Sequence, residues 1–337
     1  MSLLEYRAKV GAITYIAIAI SQIGDIKDPS GRLPPSQHHK IAAELLFACS
    51  AAKDVMATLQ IMSAYWLSTE HELPRAKEIA SNFTKQQINE CMAMLEQLSD
   101  EGDTDCMTMR ARMLEKVGHR DIAKGLYRSA LAKAPMVFDP KWPHPMALPW
   151  VPPWIALADL LLADKHNATL DARAQAKAVL EKGAFAADDP LAYYRLASFE
   201  NGHTPDWVQY MSKAAASGHI EAAYKLGRFY MDVHANPKSF LAKSQFKSAL
   251  NFITSFKGGS ADRLAREWLE FAASTGHKPS MLELMKLHDD AGDHHTAAGY
   301  LRRITEAPEN GSTEEWPNVV REARRRSVTG KVARITA

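Results

Sequence analysis

Along most of the chain, apolar residues return every three or four positions. Ile41, Leu45, Leu46, Cys49 and Ala52 mark one stripe, and Val55, Leu59, Met62 and Trp66 mark the next. That period matches the turn of an α-helix, so each stripe predicts a helix with one buried face. Asp54 stands between them as a predicted N-cap, and so short a connection makes the two helices antiparallel. Ile88, Cys91, Met92, Leu95 and Leu98 predict another helix, stopping at 99–102. Its partner is expected over 107–117, ending at Gly118, and a further helix over 121–134. At the start of the chain, 10–23 has an apolar core at 12–20. A membrane span needs about 20 such residues, so a buried first helix is expected.

Alternation of apolar and polar positions never persists beyond a few residues, which predicts no strand and an all-α fold. The helical pattern breaks at 135–153, which holds seven of the 17 prolines together with Trp142 and Trp150. Proline is disfavoured inside helices, and tryptophans are seldom left in water. This stretch is therefore expected as an ordered strap packed over helices, or alternatively as a platform for a partner. Helices are predicted again over 154–164, 172–182, 191–200, 238–256, 261–274, 278–291 and 294–305, with polar loop and tail beyond Pro308. The organisation expected is 1–134 as N-terminal hairpins, 135–153 as strap, 154–306 as C-terminal repeats and 307–337 as loop and basic tail.

The C-terminal half repeats itself. A shift of 58 carries Ala214, Ala215, Gly218, His219 and Leu226 onto Ala272, Ala273, Gly276, His277 and Leu284. A weaker copy at a shift of 30 has Ala184, Ala192 and Leu196, with Asp188 in the glycine position. Another, at 116, starts from Gly102. Self-similarity on this scale indicates stacked helical hairpins. The string at 214–230, with Ala214, Ala215, Gly218, Ala222, Leu226, Gly227 and Tyr230, resembles the Sel1-like variety of tetratricopeptide-type repeat. That resemblance implies a right-handed α-solenoid of antiparallel hairpins and a role in complex assembly or signalling. The second copy departs from the pattern at Met285 and His288, which leaves the register and number of repeats open.

Composition narrows the function little. A net charge of +2 gives no general attraction to nucleic acid or membranes. Cys49, Cys91 and Cys106 have no ligand spacing and sit among apolar residues, which predicts reduced, buried thiols. A cytosolic, nuclear or mitochondrial-matrix setting fits that state.

Candidate chemistry is sparse. His288, Asp289, Asp290, Asp293, His294 and His295 crowd one stretch, but the i+4 partner of His288 is Gly292, so solvated turn residues are expected and no metal. His219 and His277 are expected to satisfy carbonyls at helix ends. No Walker loop, nucleophile elbow or Cys-x-x-Cys pair occurs. The expectation is a non-enzyme without catalytic residues or cofactor: a scaffold or adaptor holding a protein partner along a concave surface. Contacts are expected from Tyr194, Tyr224, Arg228, Tyr230, Trp142 and Trp150, because aromatic and arginine side chains dominate binding hot spots. The alternative is an organellar ribonucleoprotein component. It would contact RNA through Arg321, Arg324, Arg325, Arg326, Lys331 and Arg334, a basic run opposed only by Glu322.

Overall fold

The structure, a computed structural model, describes residues 3–23, 37–70, 74–135, 147–163, 170–200, 204–237, 260–307 and 314–329. Every regular element among them is a helix. A first compact unit, Met1–Ala187, holds α1 (Leu3–Ile20), α2 (His38–Ala51), α3 (Val55–Glu70), α4 (Pro74–Ala80), α5 (Lys85–Glu101), α6 (Thr104–Lys116), α7 (Arg120–Lys133), α8 (Pro153–Leu162) and α9 (Leu170–Ala187). A second, Asp188–Ala337, holds α10 (Pro190–Ala197), α11 (Pro205–Ala216), α12 (Ile220–Ala235), α13 (Ser260–Ser274), α14 (Lys278–Asp290), α15 (His294–Thr305) and α16 (Pro317–Thr329). Helices pack in successive pairs, among them α6 on α7, α8 on α9, α12 on α13 and α14 on α15.

One turn design recurs through both units. Among the described residues, backbone φ is positive at Lys53, Gly102, Gly118, Asp188, Gly218, Gly276 and Gly292. Each of these is followed at once by the residue that opens the next helix: Asp54, Asp103, His119, Asp189, His219, His277 and Asp293. Gly218 and Gly276 share a φ of 94°, which glycine adopts without the steric cost a Cβ would bring. At Asp54, Asp103, His119, His219, His277 and Asp293 the opening residue donates its own N–H backwards to the carbonyl five residues earlier, as His219 does to Ala214 (3.0 Å), His277 to Ala272 (3.2 Å) and Asp103 to Leu98 (3.0 Å). That bond closes a Schellman-type end, and the same residue then starts the next helix. Asp188, expected in the glycine position of the weak third copy, takes this conformation at φ 50°.

In the first unit, Leu46, Leu59, Ile61, Met62 and Leu95 are at most 2% exposed and form the centre of a core drawn from α2, α3 and α5. Fully burying each such side chain contributes about 1.5–3 kcal/mol. The described end of the proline-rich stretch lies on this core. Leu148 is buried, its N–H donates to Gln60 Oε1 at 2.9 Å, and Trp150 packs beside it, partly buried. At α8 and α9, Gly183 lies so close to the Trp154 indole that a Cβ there would collide with it. The three cysteines are buried and free, and burial pushes their thiols up.

In the second unit, Leu226 and Phe229 of α12 are buried, and Gly227 lets α12 approach α13. A Cβ at 227 would lie 2.8 Å from Leu269 Cγ and 3.2 Å from the Ala265 carbonyl oxygen. Further on, Met281, Leu284 and Met285 pack with Ala297 and Ile304.

Two expectations change. The region beyond Pro308, expected as polar loop and tail, contains α16. Val320 and Ala323 of that helix join the core of α14 and α15. Its apolar stripe is narrow, and the surrounding arginines hide the amphipathic pattern. His219 and His277, expected to satisfy carbonyls with their side chains, instead accept from N–H groups of the helices they open. The helix expected over 238–256 lies outside the described residues, as do Trp142, Lys331 and Arg334.

Candidate partner-binding surface

The repeated histidines build the site. His219 follows the left-handed Gly218, and its Nδ1 accepts from the Ala222 N–H at 3.2 Å. An imidazole can accept there only when neutral, and burial, foremost, pushes the His219 pKa below its ordinary value. Held in this way, the ring stacks on Tyr194 of α10, with centroids 4.1 Å apart and planes at 21°. Lys225, one turn into α12, donates to the Tyr194 hydroxyl at 2.7 Å. The same ammonium lies 4.7 Å from the Tyr194 ring centroid and 3.8 Å from Glu221.

His277 repeats the device one hairpin later. Its Nδ1 accepts from the Ser280 N–H at 3.3 Å and lies 2.8 Å from the Ser280 hydroxyl. An accepting Nδ1 puts the neutral ring's proton on Nε2, which stands 3.4 Å from Glu221 Oε2. The bond to His277 is the largest influence holding the Glu221 carboxyl below the usual carboxylate range. Tyr224 and Trp316 close around the His277 ring at 5.0 and 5.3 Å. Lys278, next in the chain, bonds Glu314 at 2.6 Å and the Glu306 carbonyl at 3.1 Å.

A continuous ladder of rings and charges therefore crosses α10, α12, the start of α14 and the segment before α16. Tyr194 and Tyr224 are half-buried on it, and Arg228 is exposed one turn beyond Tyr224. A hydrogen bond with Tyr224, helped by Glu283 and Asp232 nearby, raises the Arg228 pKa above its ordinary value. Three of the expected contact residues are thus brought together. Tyr230 is not among them. It is 5% exposed, edge-on to Phe229 at 5.2 Å, and burial pushes its phenol up. Its place is in the core, one turn along α12 from Leu226, which is buried too. Trp150 belongs to the first unit's core surface. Sequence reasoning missed Lys225 and Trp316. Glu221 and Lys225 stand at i and i+4, which was a visible signal, whereas nothing in the sequence paired Trp316 with His277.

The basic residues of α16 are on the surface. Arg321, Arg324, Arg325 and Arg326 are exposed. Arg325 binds Glu322 through Nε and Nη2 at 2.9 and 3.2 Å, and Arg326 binds it at 2.9 Å. Those two guanidinium groups hold the Glu322 pKa down at about 2. In the histidine-rich turn, His288 pairs with Asp293 at 3.0 Å and His294 with Asp289 at 2.8 Å, crossing the turn at Gly292. Among the described residues, no group of three His, Cys, Asp or Glu side chains is placed to hold a metal. No described helix is long and apolar enough to cross a membrane.

No family model matches the sequence, and no curated protein matches it either. Solved structures do. A protective antigen present in uropathogenic Escherichia coli strains, displaying an SLR (Sel1-like repeat) fold, is similar over 96% of this chain at 16% identity and a TM-score of 0.53. The chain spans 59% of that protein's length. A Sel1 repeat protein from Oxalobacter formigenes matches over 96% of this chain and 90% of its own at 12% identity, with a TM-score of 0.33 that supports no argument. Helices packed in successive pairs agree with the first of these: the chain has the Sel1-like repeat fold.

Proposed function

We propose that this chain is a non-catalytic scaffold that holds a protein partner along the ladder on α10, α12 and α14. Tyr194, Tyr224 and Arg228 are the anchoring contacts. The observation that carries this is their pre-organisation. Tyr194 is fixed between His219 and Lys225, and Tyr224 packs against His277, before any partner arrives. Rigid aromatic and arginine anchors lose little freedom on binding, which favours affinity. Stacked hairpins supply the extended surface on which such anchors line up.

The test is affinity capture with the wild-type chain and with a Tyr224→Ala, Arg228→Ala double variant, washed at low and at high salt. A protein retained through high salt by the wild type and lost from the double variant supports the scaffold. Equal retention by both removes it.

RNA contact through α16 has one observation in its favour, the outward placement of its arginines. Glu322 offsets much of the charge of Arg325 and Arg326, so Arg321 and Arg324 would carry most of the attraction. RNA captured at low salt, released at high salt and lost on changing Arg321 and Arg324 to Ala would support it.

A further inference from the structure

Helix starts in this chain are capped by side chains of two chemistries. Among the described residues, Asp54, Thr84, Asp103, Asp189, Thr204 and Asp293 accept a first-turn N–H through oxygen. Aspartate, asparagine, serine and threonine are the residues preferred there. At the starts of α12 and α14 the acceptor is instead a ring nitrogen, His219 Nδ1 for Ala222 and His277 Nδ1 for Ser280. His119 also opens a helix, α7, but does not cap it through its side chain. The two histidine caps thus fall at the two turns that touch the tyrosine anchors, Tyr194 at 4.1 Å and Tyr224 at 5.0 Å between ring centroids.

Oxygen caps and imidazole caps respond differently to a proton. A carboxylate keeps its charge down to about pH 4 and a hydroxyl does not titrate, whereas an imidazolium carries a donor on both nitrogens. Protonated, His219 would turn an N–H toward the Ala222 N–H, and the cap would be lost. It would also add a second cation to Tyr194, whose ring centroid already has the Lys225 ammonium at 4.7 Å. Burial is the largest influence on His219 and favours the neutral ring; Glu221 on α12 and Asp189 at the start of α10 favour the imidazolium, and Lys225 opposes it. α14 meets this group through His277, whose Nε2 stands 3.4 Å from Glu221.

We propose that the ladder is a pH-sensitive surface: protonation of His219 uncaps α12 and unfastens Tyr194, so that a partner held at neutral pH is released in mild acid. The release rests on the scaffold proposed above; the uncapping does not. The neutral ring is the holding form, so the surface is intact above about pH 6.5 and loosens as pH falls toward the folded value.

Amide hydrogen exchange of the full chain, resolved by NMR and corrected for the intrinsic rate at each pH, tests the uncapping without a partner. Protection of the Ala222 amide is expected to fall at least about fivefold between about pH 7.5 and about pH 5, while Cys106 and Thr296, capped by Asp103 and Asp293, keep theirs. His219→Asn keeps an acceptor that does not titrate, and Ala222 in that variant should be indifferent to pH. Release is read by washing the captured partner at the same two pH values. The wild type should hold it at least about fivefold more weakly at the lower pH, and His219→Asn equally at both. Unchanged Ala222 protection in the wild type overturns the proposal. So does a loss shared by Cys106 and Thr296, which is general acid unfolding, or a loss as large in His219→Asn. A partner held equally at both pH values while Ala222 loosens overturns the release and leaves the scaffold standing. Capture of no protein at either pH removes the scaffold instead, with Ala222 still deciding the uncapping.

Discussion

His277 Nε2 lies 3.4 Å from Glu221 Oε2, so the residue that opens α14 is tied to the first turn of α12. Glu221 also lies 3.8 Å from Lys225, which holds Tyr194. One carboxylate thus links α10, α12 and the start of α14 in the second unit, and it does so at the positions where the sequence repeats.

The coupling makes stability depend on pH with a definite sign. The His219 pKa is lowered on folding, so the unfolded chain binds more protons between the folded value and about 6.5. Its contribution is complete above about pH 6.5 and is lost as pH falls toward the folded value. The Glu221 pKa is also lowered, so its contribution is complete above about pH 4.3 and is lost as pH falls through the depressed value. Both act in the same direction, toward acid instability. His219→Asn keeps an N-cap acceptor without a titrating ring. Melting temperatures between about pH 7.5 and pH 5.5 should fall less steeply in that variant than in the wild type.

Gly227→Ala should destabilise the second unit by about 1–3 kcal/mol, because the added methyl meets Leu269 and the Ala265 carbonyl. Gly299→Ala serves as the control, since nothing lies within 4 Å of a Cβ at that helical position. It should be neutral or slightly stabilising, as alanine favours helix over glycine. Urea titration followed by circular dichroism separates the two outcomes.

In the first unit, Gln60→Ala leaves the buried Leu148 N–H without its acceptor and should cost about 1–3 kcal/mol. Limited proteolysis should then cut near residues 147–150 faster than in the wild type. Unchanged cutting would mean that this bond does not hold the described end of the proline-rich stretch in place.

The helices were legible in the sequence because their stripes are long and regular, as at Val55, Leu59, Met62 and Trp66. The repeat turn was legible wherever glycine marks it, at Gly218 and Gly276. Asp188 was recognised only through its alignment with Gly218. Lys53 went unnoticed, since a non-glycine residue with φ 65° leaves no compositional trace. α16 was missed because its inward residues are few. The candidate site was half legible. Residue type pointed to Tyr194, Tyr224 and Arg228, but it pointed equally to Tyr230, and only packing shows that this ring faces the core. The capping role of His219 and His277 was hidden for another reason. Histidine can satisfy a carbonyl or accept from an N–H, and only the position of its Nδ1 decides which.

The most direct measurement of the central claim is calorimetric titration of a purified captured partner into the wild-type chain and into Tyr194→Ala, Tyr224→Ala and Arg228→Ala variants. Arg321→Ala with Arg324→Ala serves as the comparison. The expected result is a loss of at least about tenfold in affinity for each ladder variant and little change for the α16 pair, with all chains equally folded. Unchanged affinity in all three ladder variants, or a loss confined to the α16 pair, would contradict the account.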